Sequence, residues 1–339
     1  MRETRRKVKV ALDAVGGDYA PEEIVKGAVL AAQQDDVEIS LVGPADVIND
    51  ELAKYDFSHL PLHFVESDGS IDETESPALA VRRRPNASIA VAVKMVKAGE
   101  ADAVVGAGST GALVTSALRF LGMVDGIQRP VVGGPIFGVA PNTILMDCGA
   151  NVDTKPYHLV TFAVVGSIYA KKLLNVANPT VALLNIGAEE NKGNELTRQT
   201  YPLLQKSGLN FIGNIEGNEI LSGRANVIVC DGFVGNILFK FGESGVEFVT
   251  NLVKSKLKSY PLLSLFKRPF KDLTSLFGES YSIGDGLIWG INGITLKIHG
   301  ASRASDVAKK VAQAKLVVDM DVVGSLKTEL AAIRSQLNL

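Results

Sequence analysis

Short apolar runs alternate with longer amphipathic stretches along most of this chain. The runs predict strands over 7–13, 37–42, 62–65, 103–105, 143–147, 180–184, 210–215 and 226–230. The stretches between them predict helices over 21–34, 46–54, 88–98, 112–121, 156–174, 195–206 and 231–257. Another helix runs from 304 into the 320s, with a short one to finish. Pro21, Glu22 and Glu23 suit a first helical turn, and Gly99 ends helix 88–98. Helix 156–174 is apolar nearly all round and is expected to have little exposed face. Gly133, Gly134, Pro135 and Gly138 mark irregular structure. The alternation is that of βαβ units, so the fold class is α/β with a mainly parallel sheet.

The chain has 339 residues, a length that suits one large or two intimate α/β domains. The organisation expected is one large catalytic unit over 7–320 and a C-terminal helical tail over 321–339. Apolar residues make up 46%, enough for a sizeable core. The 33 glycines exceed the roughly 24 of average usage, and aromatics are only 6%. That mix favours tight turns over stacking platforms. The net charge of −2 speaks against a nucleic-acid partner. Cys148 and Cys230 lie in strand-like apolar contexts without zinc spacing, so they read as buried small groups in a reducing compartment. No apolar run reaches the roughly 20 residues of a membrane span. No export signal follows the basic start, so a cytosolic location is expected.

Glycine-rich loops follow several of the strands. They are DAVGGD (13–18), GAGSTG (106–111), DCGANVD (147–153), NIGAEENKGNE (185–195) and DGFVGN (231–236). Open α/β sheets bind ligands at the carboxyl ends of their strands, and five such loops together point to a site built from strand ends. The 106–111 loop has the spelling of a dinucleotide fingerprint. However, it is not in the first βαβ unit, and no acidic residue at an evident strand end follows at the required spacing. Its backbone N–H groups still favour an anion, with Ser109 and Thr110 adding hydroxyls. Lys192 stands among glycines and amides, where a phosphate or a developing oxyanion would give it a partner. Asp13, Asp18, Asp147, Asp153 and Asp231 can orient a cation or bind a metal, and carboxylates alone do not decide between these.

Five segments carry a resemblance: KVALDAVGGDYAPEEIVKGA (9–28), MDCGANVDTKPYHL (146–159), LLNIGAEENKGNELT (183–197), FIGNIEGNEIL (211–221) and CDGFVGNILFK (230–240). Together they resemble the bacterial acyl-carrier-protein:phosphate acyltransferases of phospholipid synthesis. The resemblance implies a Rossmann-like three-layer αβα fold of the phosphotransacetylase and isocitrate-dehydrogenase group. It implies transfer of a long-chain acyl group from acyl carrier protein to inorganic phosphate. The acyl phosphate then serves a membrane glycerol-3-phosphate acyltransferase. A homodimer peripherally associated with the inner face of the cell membrane is implied too. Two positions depart from the family pattern: Tyr19 stands where histidine is usual, and Ser109 where asparagine is usual.

Phosphate is itself the nucleophile in such a reaction, so no Ser-His-Asp set is required. His59, His63, His158 and His299 lie outside any nucleophile motif. The enzyme's task is orientation and oxyanion stabilisation. The candidate catalytic residues are Lys192, Asn236, Asn194, Asn151 and Asp231, with a helix-start cap as the alternative role for Asn236. The candidate phosphate- or substrate-binding residues are Asp13, Gly17, Gly108, Ser109, Thr110, Gly111, Asp147 and His299. Neither a cofactor nor a metal is expected.

The stretch 254–277 interleaves six basic residues with leucines and phenylalanines, broken by Pro261 and Pro269. It reads as a protruding basic, apolar element for a membrane surface, or else as a helix pair at a dimer contact. Arg82, Arg83 and Arg84 form a second basic cluster, for the acidic carrier protein, for phosphate or as a solvated face. Competing functions are a short-chain phosphate acetyl- or butyryltransferase using coenzyme A, and a non-catalytic carrier-protein or membrane scaffold.

Overall fold

Val8, Val10, Ala11 and Leu12 are all buried, so β1 (Val8–Asp13) is apolar on both faces and needs cover on both. It lies at the centre of five parallel strands. On one side are β2 (Val37–Gly43) and β3 (Leu62–Glu66), and on the other β4 (Ala103–Gly106) and β11 (Ile294–Lys297). One face carries Ala11 and Val104 into a cluster with α3 (Pro77–Arg83), α4 (Ser88–Ala98) and α5 (Thr110–Phe120). Also against this sheet, α1 (Glu22–Gln34) packs on α9 (Ala304–Asp319), with Gly27 admitting Val307. The chain leaves β1 for β2 and β3, then recrosses to β4, so the strand order reverses between β1 and β4. A ligand crevice forms at such a reversal.

This sheet belongs to one of two compact units, 1–125 with 286–325; the other comprises 126–285 with 326–339. The stretch expected as a single unit, 7–320, is thus composed of two. The computed structural model describes residues 6–34, 36–135, 140, 142–259 and 286–337. The second unit's own strands are β5 (Val131–Pro135), β6 (Ile144–Met146), β9 (Val227–Val229), β7 (Thr180–Leu184) and β8 (Asn210–Ile215), in that spatial order. All pairings are parallel except β5 with β6. Against this sheet lies α6 (Pro156–Leu173), buried almost throughout as its sequence requires. Leu145, Ala182 and Ile228 alternate to the opposite face and join Leu238 of α8 (Gly232–Ser259). α7 (Glu195–Lys206) connects β7 to β8.

Four segments differ from expectation. The basic cluster at 82–84 ends a short helix, α3, opened by Pro77. The glycines of 133–134 form a paired strand, β5, because an added Cβ at Gly133 would lie 2.3 Å from the Leu145 carbonyl oxygen. The glycine-rich stretch before 300 contains β10 (Ile288–Trp289) and β11. The tail folds as α10 (Val322–Leu337), longer than the short helix expected. The 254–277 element from 260 onward lies outside the described residues. Among the described residues, no helix is long and apolar enough to cross a membrane.

Candidate functional site

The predicted loops fall at the carboxyl ends of strands in both units. In the first unit, Asp13 closes β1 and is 2% exposed. Burial pushes the carboxyl above its ordinary range, opposed by the Val15 and Gly16 N–H groups and by the charge of Lys297. Gly17 has φ +104°, and an added Cβ would stand 2.9 Å from Ala107, so the 13–18 loop touches the 106–111 loop through glycine. Gly16 meets Gly108 in the same way. Asp18 donates its N–H to the Gly300 carbonyl at 2.9 Å, which adds the 297–300 segment.

The first-unit candidates divide between these loops and a helix cap. Ser109 caps α5, its Oγ accepting from the Ala112 N–H at 3.3 Å. Thr110 opens that helix and is exposed, and Gly111 packs against Pro77. His299 is exposed, and its carbonyl accepts from the Ser302 N–H. Tyr19, at the departing position, lies under the Arg303 guanidinium, 3.4 Å from ring centroid to Cζ.

Lys297 is a further candidate that the sequence did not single out. Its Nζ donates to the Ala107 carbonyl at 2.9 Å and to the Ile298 carbonyl. Burial lowers its pKa, while Glu73, Asp13 and Asp18 oppose the fall. The available signal was a lone lysine ending an apolar run, ITLK.

In the second unit, Asp147 follows β6 and is fully buried. Its Oδ1 accepts from the Gly149 and Ala150 N–H groups at 3.1 Å each, and its Oδ2 from the Asn151 N–H at 2.8 Å. Burial raises its pKa and these donors, led by the Asn151 side chain, oppose the rise. The Asn151 amide donates to Asp147 and to the Pro130 carbonyl, both at 2.7 Å. Asn236 lies one turn into α8 and is not its cap; its Nδ2 donates to the Cys148 carbonyl at 3.3 Å. Asp231 is that cap, its Oδ1 accepting from the Val234 N–H at 2.9 Å. Asn194 caps α7 through Oδ1 and the Thr197 N–H at 2.9 Å. The structure thus gives Asn151 and Asn236 bracing contacts, and gives Asn194 and Asp231 capping contacts.

Lys192 is exposed, and its ammonium has no partner among the described residues. Its backbone is fixed: the N–H donates to the Glu189 carbonyl at 3.1 Å, and its own carbonyl accepts from Asn185 Nδ2 at 3.1 Å. The next residues, Gly193 and Asn194, line a cavity of about 460 Å³ at the ends of β7, β8 and β9. Both helix caps, Asn194 and Asp231, stand on its rim, so two helix N-termini with their positive dipole ends open there. Its walls are apolar, among them Leu159, Leu184, Cys230 and Leu238. Burial holds the Cys230 thiol well above its usual range, which makes it a poor nucleophile. Among the described residues, no group of three or more acidic, histidine or cysteine side chains is placed to hold a metal.

The family pattern described as "Fatty acid synthesis protein" matches residues 8–324. A phosphate acyltransferase of Desulfitobacterium hafniense is 42% identical over 330 residues, covering 95% of this chain and 98% of that relative. One from a Synechocystis species is 43% identical over 322 residues, covering 93% and 92%. Among solved structures, a phosphotransacetylase from Streptococcus pyogenes superposes with a TM-score of 0.65 at 18% identity, over 92% of this chain and 94% of that one. The fold is therefore the Rossmann-like three-layer αβα arrangement of the phosphotransacetylases.

Proposed function

The chain belongs to the phosphate acyltransferase family, and we propose that its donor is the thioester of acyl carrier protein, its acceptor inorganic phosphate and its product a long-chain acyl phosphate. It is an enzyme that transfers acyl groups to phosphate in phospholipid synthesis. In the proposed step a phosphate oxygen attacks the thioester carbonyl, forming a C–O bond and a tetrahedral oxyanion. Collapse breaks the C–S bond, and the leaving thiolate takes the proton that the hydrogen phosphate gives up. No covalent acyl-enzyme is needed.

The observation that carries this reading is Lys192, an unpaired ammonium on a fixed backbone beside two helix N-termini. Phosphate brings negative charge that such a site favours, and the oxyanion adds more in the transition state. Asn194 Nδ2 has no partner among the described residues while Oδ1 caps α7, so it is the second donor. Asn151, Asn236 and Asp231 act as positioning residues, holding the Asp147 loop and the start of α8. Arg82 and Arg83, exposed and unpaired among the described residues at the end of α3, offer positive charge to an acidic carrier protein, whereas Arg84 is tied to Glu75.

A homodimer working at the inner face of the membrane, handing its product to the glycerol-3-phosphate acyltransferase, completes the proposal. Bare apolar residues on α8 support it: Phe233, Ile237, Phe241 and Phe248 are each more than half exposed in the single chain. Co-sedimentation with anionic vesicles should weaken when Leu263 and Phe266 are changed to glutamate; unchanged sedimentation removes the membrane role.

Hexadecanoyl carrier protein with phosphate, set against hexadecanoyl- and acetyl-coenzyme A, tests the reaction. Acyl phosphate should form fastest from the carrier-protein donor. Formation from acetyl-coenzyme A alone would establish the short-chain alternative instead.

A further inference from the structure

We propose that the cavity at the ends of β7, β8 and β9 is the subsite for the acyl chain, taking the methylenes next to the thioester carbonyl. This rests on the functional reading above and adds to it the place where the chain lies. The volume of about 460 Å³ is that of a ligand site rather than a packing defect.

The chemistry of the walls selects the occupant. Leu159 of α6, Leu184 of β7, Cys230 after β9 and Leu238 of α8 supply apolar surface from four elements. Most polar side chains on the rim already spend an oxygen on the backbone, and Asn194 Nδ2 remains the donor for the Lys192 end of the site. Asn185 Oδ1 accepts from the Ile186 N–H at 2.9 Å, and Asn194 and Asp231 cap their helices. Thr197 Oγ1 donates to the Asn194 carbonyl at 3.1 Å, and the Glu216 N–H donates to the Glu219 carboxylate at 3.2 Å. An amide-bearing arm such as pantetheine would leave its own polar groups unmatched against these walls. An alkyl chain asks for nothing but carbon.

Two residues at the mouth are oddly bare. Ile186 is 81% exposed and Val234 is 36% exposed, both on the cavity lining. A chain entering between them would cover both. Gly193 and Asn194 share this mouth, so the thioester carbonyl would come to rest at the loop that carries Lys192.

Alkyl phosphonates of four to sixteen carbons, unreactive mimics of the product, test the site by calorimetry. Affinity should rise about fourfold per added methylene until the cavity is full. Val234→Trp and Ile186→Ser change exposed residues, so both variants should melt like the parent. Each should flatten the length dependence and lower affinity for the longest phosphonate at least tenfold. In turnover, each should lower the ratio of kcat/KM for hexadecanoyl over butanoyl donor by a similar factor. If the parent makes acyl phosphate and both variants keep its length profile, the subsite is refuted while the function stands. If the parent makes no acyl phosphate, the functional reading fails. Length-dependent binding lost in Val234→Trp would then still uphold the cavity as an alkyl site, and length-independent binding would overturn it.

Discussion

The side-chain amide of Asn151 lies 2.7 Å from Oδ2 of Asp147, and the same amide reaches the Pro130 carbonyl at 2.7 Å. One asparagine therefore ties a buried carboxylate to the segment preceding β5. Asp147 also accepts from the N–H groups of its own loop and, at 3.4 Å, from the Val132 N–H of β5. The loop is thereby given one shape before any substrate arrives, which is the condition for orientation to count in catalysis.

Asn151→Ala should lower stability by about 1–3 kcal/mol, because it strips a donor from a buried carboxylate and leaves the Pro130 carbonyl unpaired. Urea denaturation measures it. A loss of activity without any loss of stability would mean that Asn151 meets substrate rather than bracing the loop.

Lys192→Ala should fold like the parent, with a stability change within about 0.5 kcal/mol, since its ammonium is exposed and unpaired. Phosphate-dependent thioester cleavage should fall about 10²- to 10³-fold. Turnover equal to the parent's would remove Lys192 from the mechanism.

His158 provides a pH test. Its Nδ1 accepts from the Lys155 N–H at 3.2 Å, and its Nε2 faces the Gln128 oxygen at 3.1 Å, so the ring is neutral with the proton on Nε2. Burial lowers its pKa below 6.5, helped by the charges of Arg129 and Lys155. The unfolded chain then binds more protons than the folded one just below that value, and stability falls as pH falls. The parent's advantage over His158→Gln should be full above pH 6.5 and shrink below it. Denaturation curves at several pH values between 5 and 7.5, roughly bracketing an unperturbed histidine, would read this; a constant difference refutes it.

Gly235 and Gly245 both lie in α8 but should respond oppositely to alanine. A Cβ at Gly235 would stand 1.7 Å from the Asp147 carbonyl oxygen, whereas no described residue lies within 4 Å of one at Gly245. Gly235→Ala should destabilise by more than about 3 kcal/mol through strain, and Gly245→Ala should stabilise by about 0.5–1 kcal/mol through helix propensity. Thermal melts of both variants compare them directly.

The sequence by itself determined most of the strands and most of the helices, since a strand such as 7–13 or a helix such as 156–174 announces its burial in its own run of residues. It also determined which loops end the strands, because glycine, asparagine and aspartate mark those ends locally. The roles within the loops came only from tertiary structure. Asn194, Asn151 and Asn236 read alike along the chain, yet one caps a helix, one braces a carboxylate and one holds a carbonyl. β5 escaped detection because its glycines suit a strand only where the Leu145 backbone presses against them. Lys297 escaped because its burial depends on the loops after β1 and β4, far away in sequence. The cavity is the extreme case. Its walls come from α6, β7, the residue after β9 and α8, and an apolar space exists only once separate segments are packed around it.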